Sequence, residues 1–152
     1  MKRRREYHTA VYDTSRWDYV TPRGGDVFVC TPAKCGTTWM QSIVASVLWP
    51  DEDAPGPVLA ISPWIEMKMM PAAEMGAMLE AQTHRRFMKS HTPADGIPWF
   101  DEGRYIFVAR DGRDAFMSLC NHREHFQEAV RESLNASAPD GVPHLPAWDG
   151  DL

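Results

Sequence analysis

The sequence has 152 residues, of which 43% are hydrophobic and 24% charged, and 16 Lys and Arg against 21 Asp and Glu give a formal net charge of −5. These values are typical of one folded domain with its own core and exclude wholesale disorder. A protein that coats nucleic acid or an anionic membrane usually carries the opposite charge. We therefore expect no nucleic-acid partner, and any anion site must be a local concentration of positive charge.

The sequence lacks the patterns of secretion and membrane insertion. Its basic start is followed by polar residues, so a signal peptide is not expected. No run reaches the roughly 18 apolar residues of a membrane-spanning helix. The cysteines Cys30, Cys35 and Cys120 form no C-x-x-C pair, which argues against a zinc site or a disulfide framework. We predict a soluble, cytoplasmic protein without a metal site and without stable membrane insertion.

Composition divides the chain into three predicted regions. Residues 1–25 are aromatic and without periodicity, and we predict an irregular N-terminal arm. Residues 26–134 hold the periodic segments and are predicted to form an α/β core. Residues 135–152 contain three prolines and two glycines and are predicted to be a loop-like C-terminal tail.

The first half of the core begins with an apolar run over residues 26–30, which predicts a strand buried on both faces. A helix is predicted from Thr37 onward, because apolar residues recur every three or four positions. Ser62-Pro63 has the pattern of a helix start. Residues 64–82 are therefore predicted to form one or two helices, broken near Pro71.

The second half of the core repeats the order of strand, loop and helix. Strands are predicted over residues 86–89 and 104–109, and the second of these has the strongest strand pattern in the sequence. Asp111 or Asp114 is predicted to cap a helix that continues to about Leu134. This order predicts a three-layer α/β domain with a central parallel sheet.

The turn between the first strand and the first helix, residues 31–39, has the features of a phosphate cradle. In such a turn backbone N–H groups point at one spot, where the helix dipole also favours an anion. Lys34 adds a full charge, and the hydroxyls of Thr37 and Thr38 add donors. The pattern departs from G-x-x-x-x-G-K-[ST], because the lysine precedes Gly36. A connector without function is the alternative, and the flanking strand and helix favour the phosphate site.

Two further strand ends carry polar side chains. Arg110 follows the third strand, at the sheet edge where α/β proteins bind ligands, and its guanidinium matches a phosphate group. Ser118 lies two turns along the following helix. Lys89-Ser90-His91 ends the second strand, and histidine is the usual general base near neutral pH. Taken alone, residues 110–114 fit a surface salt-bridge cluster better than a ligand site, and an isolated histidine is more often structural than catalytic.

Together the three segments resemble the sulfotransferases that use 3′-phosphoadenosine 5′-phosphosulfate (PAPS) as donor. The segments that carry the resemblance are Lys34-Cys35-Gly36-Thr37-Thr38-Trp39, Lys89-Ser90-His91, and Tyr105 to Asp114 with Ser118. The resemblance covers roughly residues 25 to 125 and implies a P-loop-like α/β fold. Cys35 stands where the family often has serine.

The resemblance also implies a role for each site residue. Trp39 is expected to stack on adenine, and Arg110 and Ser118 to hold the 3′-phosphate that distinguishes the donor from ATP. His91 is expected to take the proton from a hydroxyl or amine of a small or lipid-like acceptor. Lys34 and Lys89 would stabilise the sulfuryl group in transfer, without a metal, and leave 3′-phosphoadenosine 5′-phosphate as product. The implied donor-binding residues are Lys34, Cys35, Gly36, Thr37, Thr38, Trp39, Arg110 and Ser118.

Members of this family normally continue well beyond this length, with a further strand and an Arg-Lys-Gly type segment that completes the 3′-phosphate site. We therefore expect a domain truncated at its C-terminus, which a homodimer or a complementing C-terminal fragment would stabilise. One alternative is a non-catalytic, nucleotide-binding remnant that acts through association. A P-loop kinase using ATP is another, and the lack of a magnesium-ligand pattern argues against it.

Overall fold

The computed structural model describes residues 4–147 and residue 149, so the ends of the predicted arm and tail, residues 1–3, 148 and 150–152, lie outside the described part. All three predicted strands are confirmed, and the third is shorter than predicted. The elements in chain order are a 3-10 helix (Thr14–Tyr19), β1 (Val27–Cys30), α1 (Thr37–Leu48), α2 (Val58–Ile61), α3 (Ala72–Ala81), β2 (Phe87–Ser90), β3 (Arg104–Phe107), α4 (Gly112–Glu124) and α5 (Glu128–Ala136).

The three strands form a parallel sheet in the order β2-β1-β3. In the register of this sheet, Cys30 at the end of β1 lies opposite Ser90 of β2 and Phe107 of β3. All three strands therefore end at the same edge, and the residues that follow them come together there. This arrangement confirms the predicted α/β fold with a central parallel sheet.

The sheet lies between two helical layers, each with its own apolar cluster. Successive side chains of a strand point to opposite faces, so Phe28 and Cys30 pack towards the 3-10 helix and α3, while Val27 and Val29 pack towards α1 and α2. Every residue of β1 is buried. Burial on both faces explains why this strand shows no alternation of apolar and polar residues in the sequence.

The segment that follows α2 departs from the prediction, because Ser62-Pro63 starts no helix. Ser62 ends α2, and the chain then runs beside β2. The Lys89 N–H donates to the Pro63 carbonyl at 3.0 Å, and the Ile65 N–H donates to the Lys89 carbonyl at 3.2 Å. The edge of β2 thus supplies the hydrogen bonds that a helix would have made, and the predicted helix is present only as α3.

The predicted long helix after the third strand is interrupted. Asp111 caps α4 as predicted, since its side chain accepts a hydrogen bond from the Arg113 N–H at 3.0 Å. The helix ends at Glu124, and the Nδ1 of the next residue, His125, lies 2.8 Å from the Asn121 carbonyl oxygen. The His125 side chain thus bonds a carbonyl of the last helical turn, and α5 begins at Glu128. Within the described residues, no helix is long and apolar enough to cross a membrane.

A buried ion pair lies at the edge of the sheet where the strands begin. The Arg86 guanidinium donates to both carboxylate oxygens of Asp26, with an Nε–Oδ1 distance of 2.9 Å. Both side chains are almost fully buried, and the paired geometry satisfies both charges. This pair lies at the opposite end of the same strands from the candidate site described next.

Candidate functional site

A cleft of about 1240 Å³ opens at the edge where the three strands end. Its walls come from the β1–α1 loop, the residues after β2 and β3, and helices α4 and α5. Cys35 is the one candidate residue whose side chain is buried away from it, with 6% exposure. The other candidate residues all line the cleft: Lys34, Gly36, Thr37, Thr38, Trp39, Lys89, His91, Arg110 and Ser118.

The β1–α1 loop has the backbone geometry of an anion cradle. Lys34 and Gly36 both have positive φ angles, 63° and 93°, while Cys35 between them does not. Alternation of this kind forms a concave nest of N–H groups, and the positive end of the α1 dipole adds to it. A Cβ on Gly36 would meet nothing within 4 Å, so the left-handed conformation, not a lack of space, favours glycine here.

Thr31 links this loop to His91. The Thr31 hydroxyl is hydrogen-bonded to that of Thr37 and lies 3.3 Å from His91 Nδ1. The Thr31 carbonyl oxygen lies 2.8 Å from the same nitrogen. Nδ1–H therefore donates to Thr31, and Nε2 keeps the lone pair that a general base needs. The Thr37 hydroxyl is buried against that of Thr31, so Thr38 is the exposed one of the two predicted hydroxyl donors.

His91 lies among groups that favour its neutral form. Its ring meets the Trp64 ring edge-on at 4.6 Å, and Lys89 Nζ lies 5.3 Å from the same indole. Burial lowers the pKa of His91, and the Lys89 charge lowers it further, while the hydrogen bond to Thr31 opposes both. Burial also lowers the pKa of Lys89, and the Glu66 carboxylate opposes that shift.

Arg110, Trp39 and Ser118 occupy the remaining wall. The Arg110 side chain is 45% exposed, and its Nε lies 3.8 Å from Asp114 Oδ2. A pair this long and this exposed contributes little, so the guanidinium can turn to a ligand. Trp39 is 75% exposed, which leaves its ring open to a stacking partner. Ser118 is half-buried on α4.

Helices α4 and α5 add basic side chains that the sequence analysis missed. His122, Arg123 and Arg131 also line the cleft. Burial lowers the pKa of His122, and the charge of Lys34 lowers it further. His122 follows Ser118 by four residues, and this spacing puts both side chains on one helix face. The spacing could therefore have identified His122 as a cleft residue from the sequence. No group of three or more His, Cys, Asp or Glu in residues 4–147 or 149 is placed to hold a metal ion.

A family model described as the sulfotransferase domain matches residues 24–140, which is most of the chain. The chain is 40% identical over 122 residues to a protein named glycolipid sulfotransferase from Mycobacterium tuberculosis (strain ATCC 25177 / H37Ra). It is 29% identical over 122 residues to human sulfotransferase 1C2. The chain therefore belongs to the sulfotransferase domain family, which confirms the resemblance noted in its sequence.

The matches cover most of this chain and a smaller part of each relative. They span 80% and 76% of this chain but 37% and 38% of the mycobacterial and human proteins. A solved structure of retinol dehydratase in a complex with retinol and PAP has a TM-score of 0.55 and 19% identity, and it covers 74% of this chain and 45% of that one. That similarity supports the fold.

We predict that His91 titrates below its ordinary pKa of 6.5 and that its neutral ring is protonated at Nδ1. Because folding lowers this pKa, the unfolded chain binds the proton more readily. The stability contributed by His91 is therefore present above pH 6.5 and lost as pH falls through the folded pKa. Imidazole 15N–1H spectra across this pH range, assigned with His91→Gln, measure the His91 pKa and the protonated nitrogen of its neutral ring. A midpoint above the ordinary value, or a ring protonated at Nε2, would contradict the prediction.

Proposed function

We propose that this chain carries the donor site and the general base of a PAPS-dependent sulfotransferase, which transfers a sulfuryl group to a hydroxyl or amine. The observation that carries the proposal is the convergence of three strand-end segments on one cleft. Membership of the sulfotransferase domain family supports the class of reaction. The chain spans 37% of its mycobacterial relative, so the relative's activity belongs to a longer protein. Catalysis by these 152 residues alone is therefore our proposal.

Donor binding follows from the charges and shapes along the cleft. The Lys34 ammonium and the N–H groups of the β1–α1 loop would hold the 5′-phosphosulfate. Trp39 would stack on adenine through its exposed ring. Arg110 and Ser118 would hold the 3′-phosphate. The retinol dehydratase structure is a complex with PAP, which is the product that PAPS leaves after sulfuryl transfer, and this supports the choice of donor.

The reaction would be an in-line displacement at sulfur. His91 Nε2 takes the proton from the acceptor hydroxyl as its oxygen forms a bond to sulfur, and the bond from sulfur to the phosphate oxygen breaks. Lys34 and Lys89 stabilise the negative charge on the sulfuryl oxygens and on the leaving phosphate. The hydrogen bond from Nδ1 to the Thr31 carbonyl stabilises the imidazolium that forms.

The acceptor class follows from the apolar part of the cleft. Val11, Tyr12 and Met67 line it on the side of the N-terminal arm, and Leu119 and Phe126 line it on the helical side. Apolar walls beside a general base suit a lipid-like molecule with one reactive hydroxyl. The name of the mycobacterial relative, glycolipid sulfotransferase, supports this choice. We place the reaction in the cytoplasm as part of the same proposal.

Association is a further part of this proposal. β3 pairs only with β1 within the described residues, and Phe107 at its end is 73% exposed. Val47 on α1 and Phe116 on α4 are also exposed, at 71% and 51%. An open strand edge that ends in the exposed Phe107 side chain favours pairing with another segment. A second copy of the chain or a complementing C-terminal fragment would supply it.

We predict that Arg110→Ala weakens binding of adenosine 3′,5′-bisphosphate by about 10- to 100-fold, the loss expected for a hydrogen bond to a charged group. Binding of ADP should change less than about twofold, since ADP lacks the 3′-phosphate. Arg113→Ala is the matched control, because Arg113 is an exposed arginine that does not line the cleft. Isothermal titration calorimetry measures the six affinities, those of the wild type and the two variants for each nucleotide. Equal losses of affinity for the two nucleotides would contradict the assignment of Arg110 to the 3′-phosphate site.

We predict that His91→Gln reduces sulfuryl transfer by roughly 10²- to 10⁴-fold, the contribution expected of a general base, and leaves the affinity for adenosine 3′,5′-bisphosphate nearly unchanged. Transfer from labelled PAPS to octyl glucoside, an amphiphile with sugar hydroxyls, measures the rate. His84→Gln is the control, because His84 is a half-buried histidine before β2 that contacts Trp49 and does not line the cleft. Transfer that survives in His91→Gln would show that the base is wrong. A wild type that binds nucleotide without transfer would instead fit the nucleotide-binding remnant.

A further inference from the structure

Glu66 is a fully buried acid that the mechanism above does not use. Three donors converge on its Oε1 atom: the Trp17 indole N–H at 2.7 Å, the Thr92 hydroxyl at 2.7 Å and the Ser90 hydroxyl. The Ser90 oxygen in turn accepts the Thr92 N–H at 3.1 Å. Ser90 and Thr92 are the two neighbours of His91 in the chain. One carboxylate oxygen therefore fixes the backbone on both sides of the proposed base.

The chain around Glu66 also packs against Lys89 and His91. Trp64, two residues earlier, contacts the His91 ring and the Lys89 ammonium. The Glu66 carbonyl accepts the Asp13 N–H at 2.9 Å, which ties the N-terminal segment to the same point. Glu66 thus joins three separate parts of the chain beside the cleft without lining the cleft itself.

The charge of Glu66 acts on the same site. Burial raises the pKa of Glu66, and its hydrogen bonds oppose that shift by favouring the ionised form. Its Oε2 atom is buried with no hydrogen-bond partner among the described residues. The ionised form opposes the lowering of the Lys89 pKa that burial causes. The titratable groups that sense the Glu66 charge are Tyr12, Arg16, Cys30 and Lys89.

We propose that Glu66 is a positioning residue of this site: its carboxylate fixes the Ser90–Thr92 segment so that the His91 ring faces the cleft. The assignment rests on the sulfotransferase function proposed above. Glu66 itself would touch neither donor nor acceptor. It acts on the reaction through the orientation of the base.

Two variants separate the charge from the hydrogen bonds. Glu66→Gln keeps an acceptor oxygen and removes the charge, so the titration midpoint of the Lys89 amine should fall. Thr92→Val keeps the shape and removes one of the bonds beside His91, so the neutral ring should shift from one tautomer to a mixture. NMR spectra of the lysine 13Cε and histidine 15N nuclei measure these shifts. In turnover, Thr92→Val should lower kcat by roughly 10- to 100-fold with KM little changed, as expected for a misplaced base.

The controls apply the same chemical changes away from the site. Asp26→Asn alters a buried carboxylate at the other edge of the sheet, and Thr14→Val alters a buried threonine whose hydroxyl bonds Tyr7. Both should lose stability and leave the Lys89 and His91 signals unchanged. If folded Thr92→Val leaves the His91 tautomer at its wild-type state, the proposal is overturned. If that variant does not fold, an unchanged His91 tautomer in Ser90→Ala, which removes the other hydroxyl bond to Glu66, overturns it.

The NMR measurements do not depend on turnover. A wild-type chain that transfers no sulfuryl group would contradict the proposed function, while the shift at His91 would still decide the role of Glu66. A shift at His91 together with an active wild type would support both proposals.

Discussion

The parallel pairing of β1 with β2, in one register, is the constraint on which the rest of the site depends. It sets Cys30 opposite Ser90, so the next residues, Thr31 and His91, lie side by side. The Thr31 N–H donates to the Ser90 carbonyl at 3.0 Å, and the Thr31 carbonyl accepts the His91 Nδ1–H. A slip of one residue would turn every side chain of β2 to the other face and break this contact.

The register also explains how an acidic chain forms a cationic cleft. The net charge is −5, yet the strand ends bring Lys34, Lys89 and Arg110 to one opening. The α1 dipole adds to this concentration, and α4 and α5 contribute Arg123 and Arg131. The Asp26–Arg86 pair satisfies its own charges at the other edge of the sheet, where it does not compete for an anion.

The sequence was most informative where one short segment determines its own structure. The three strands, the β1–α1 loop and the Asp111 cap follow from local composition, and the structure contains them. The segment after Ser62 was mispredicted because its hydrogen bonds come from β2, a partner that local patterns do not reveal. Thr31 and Glu66 were missed for the same reason. Their roles depend on strand register and on burial, which appear only once the sheet is assembled.

The central claim is that these 152 residues fold and carry the donor site at one sheet edge. Thermal unfolding of the chain with adenosine 3′,5′-bisphosphate, and with ADP as control, tests it most directly. At a hundredfold excess over its dissociation constant the bisphosphate should add about 2.7 kcal/mol, a rise in Tm of roughly 5 to 10 °C. ADP at the same concentration should give a much smaller rise. A cooperative transition that the bisphosphate leaves unmoved, or that ADP alone raises, would contradict the account.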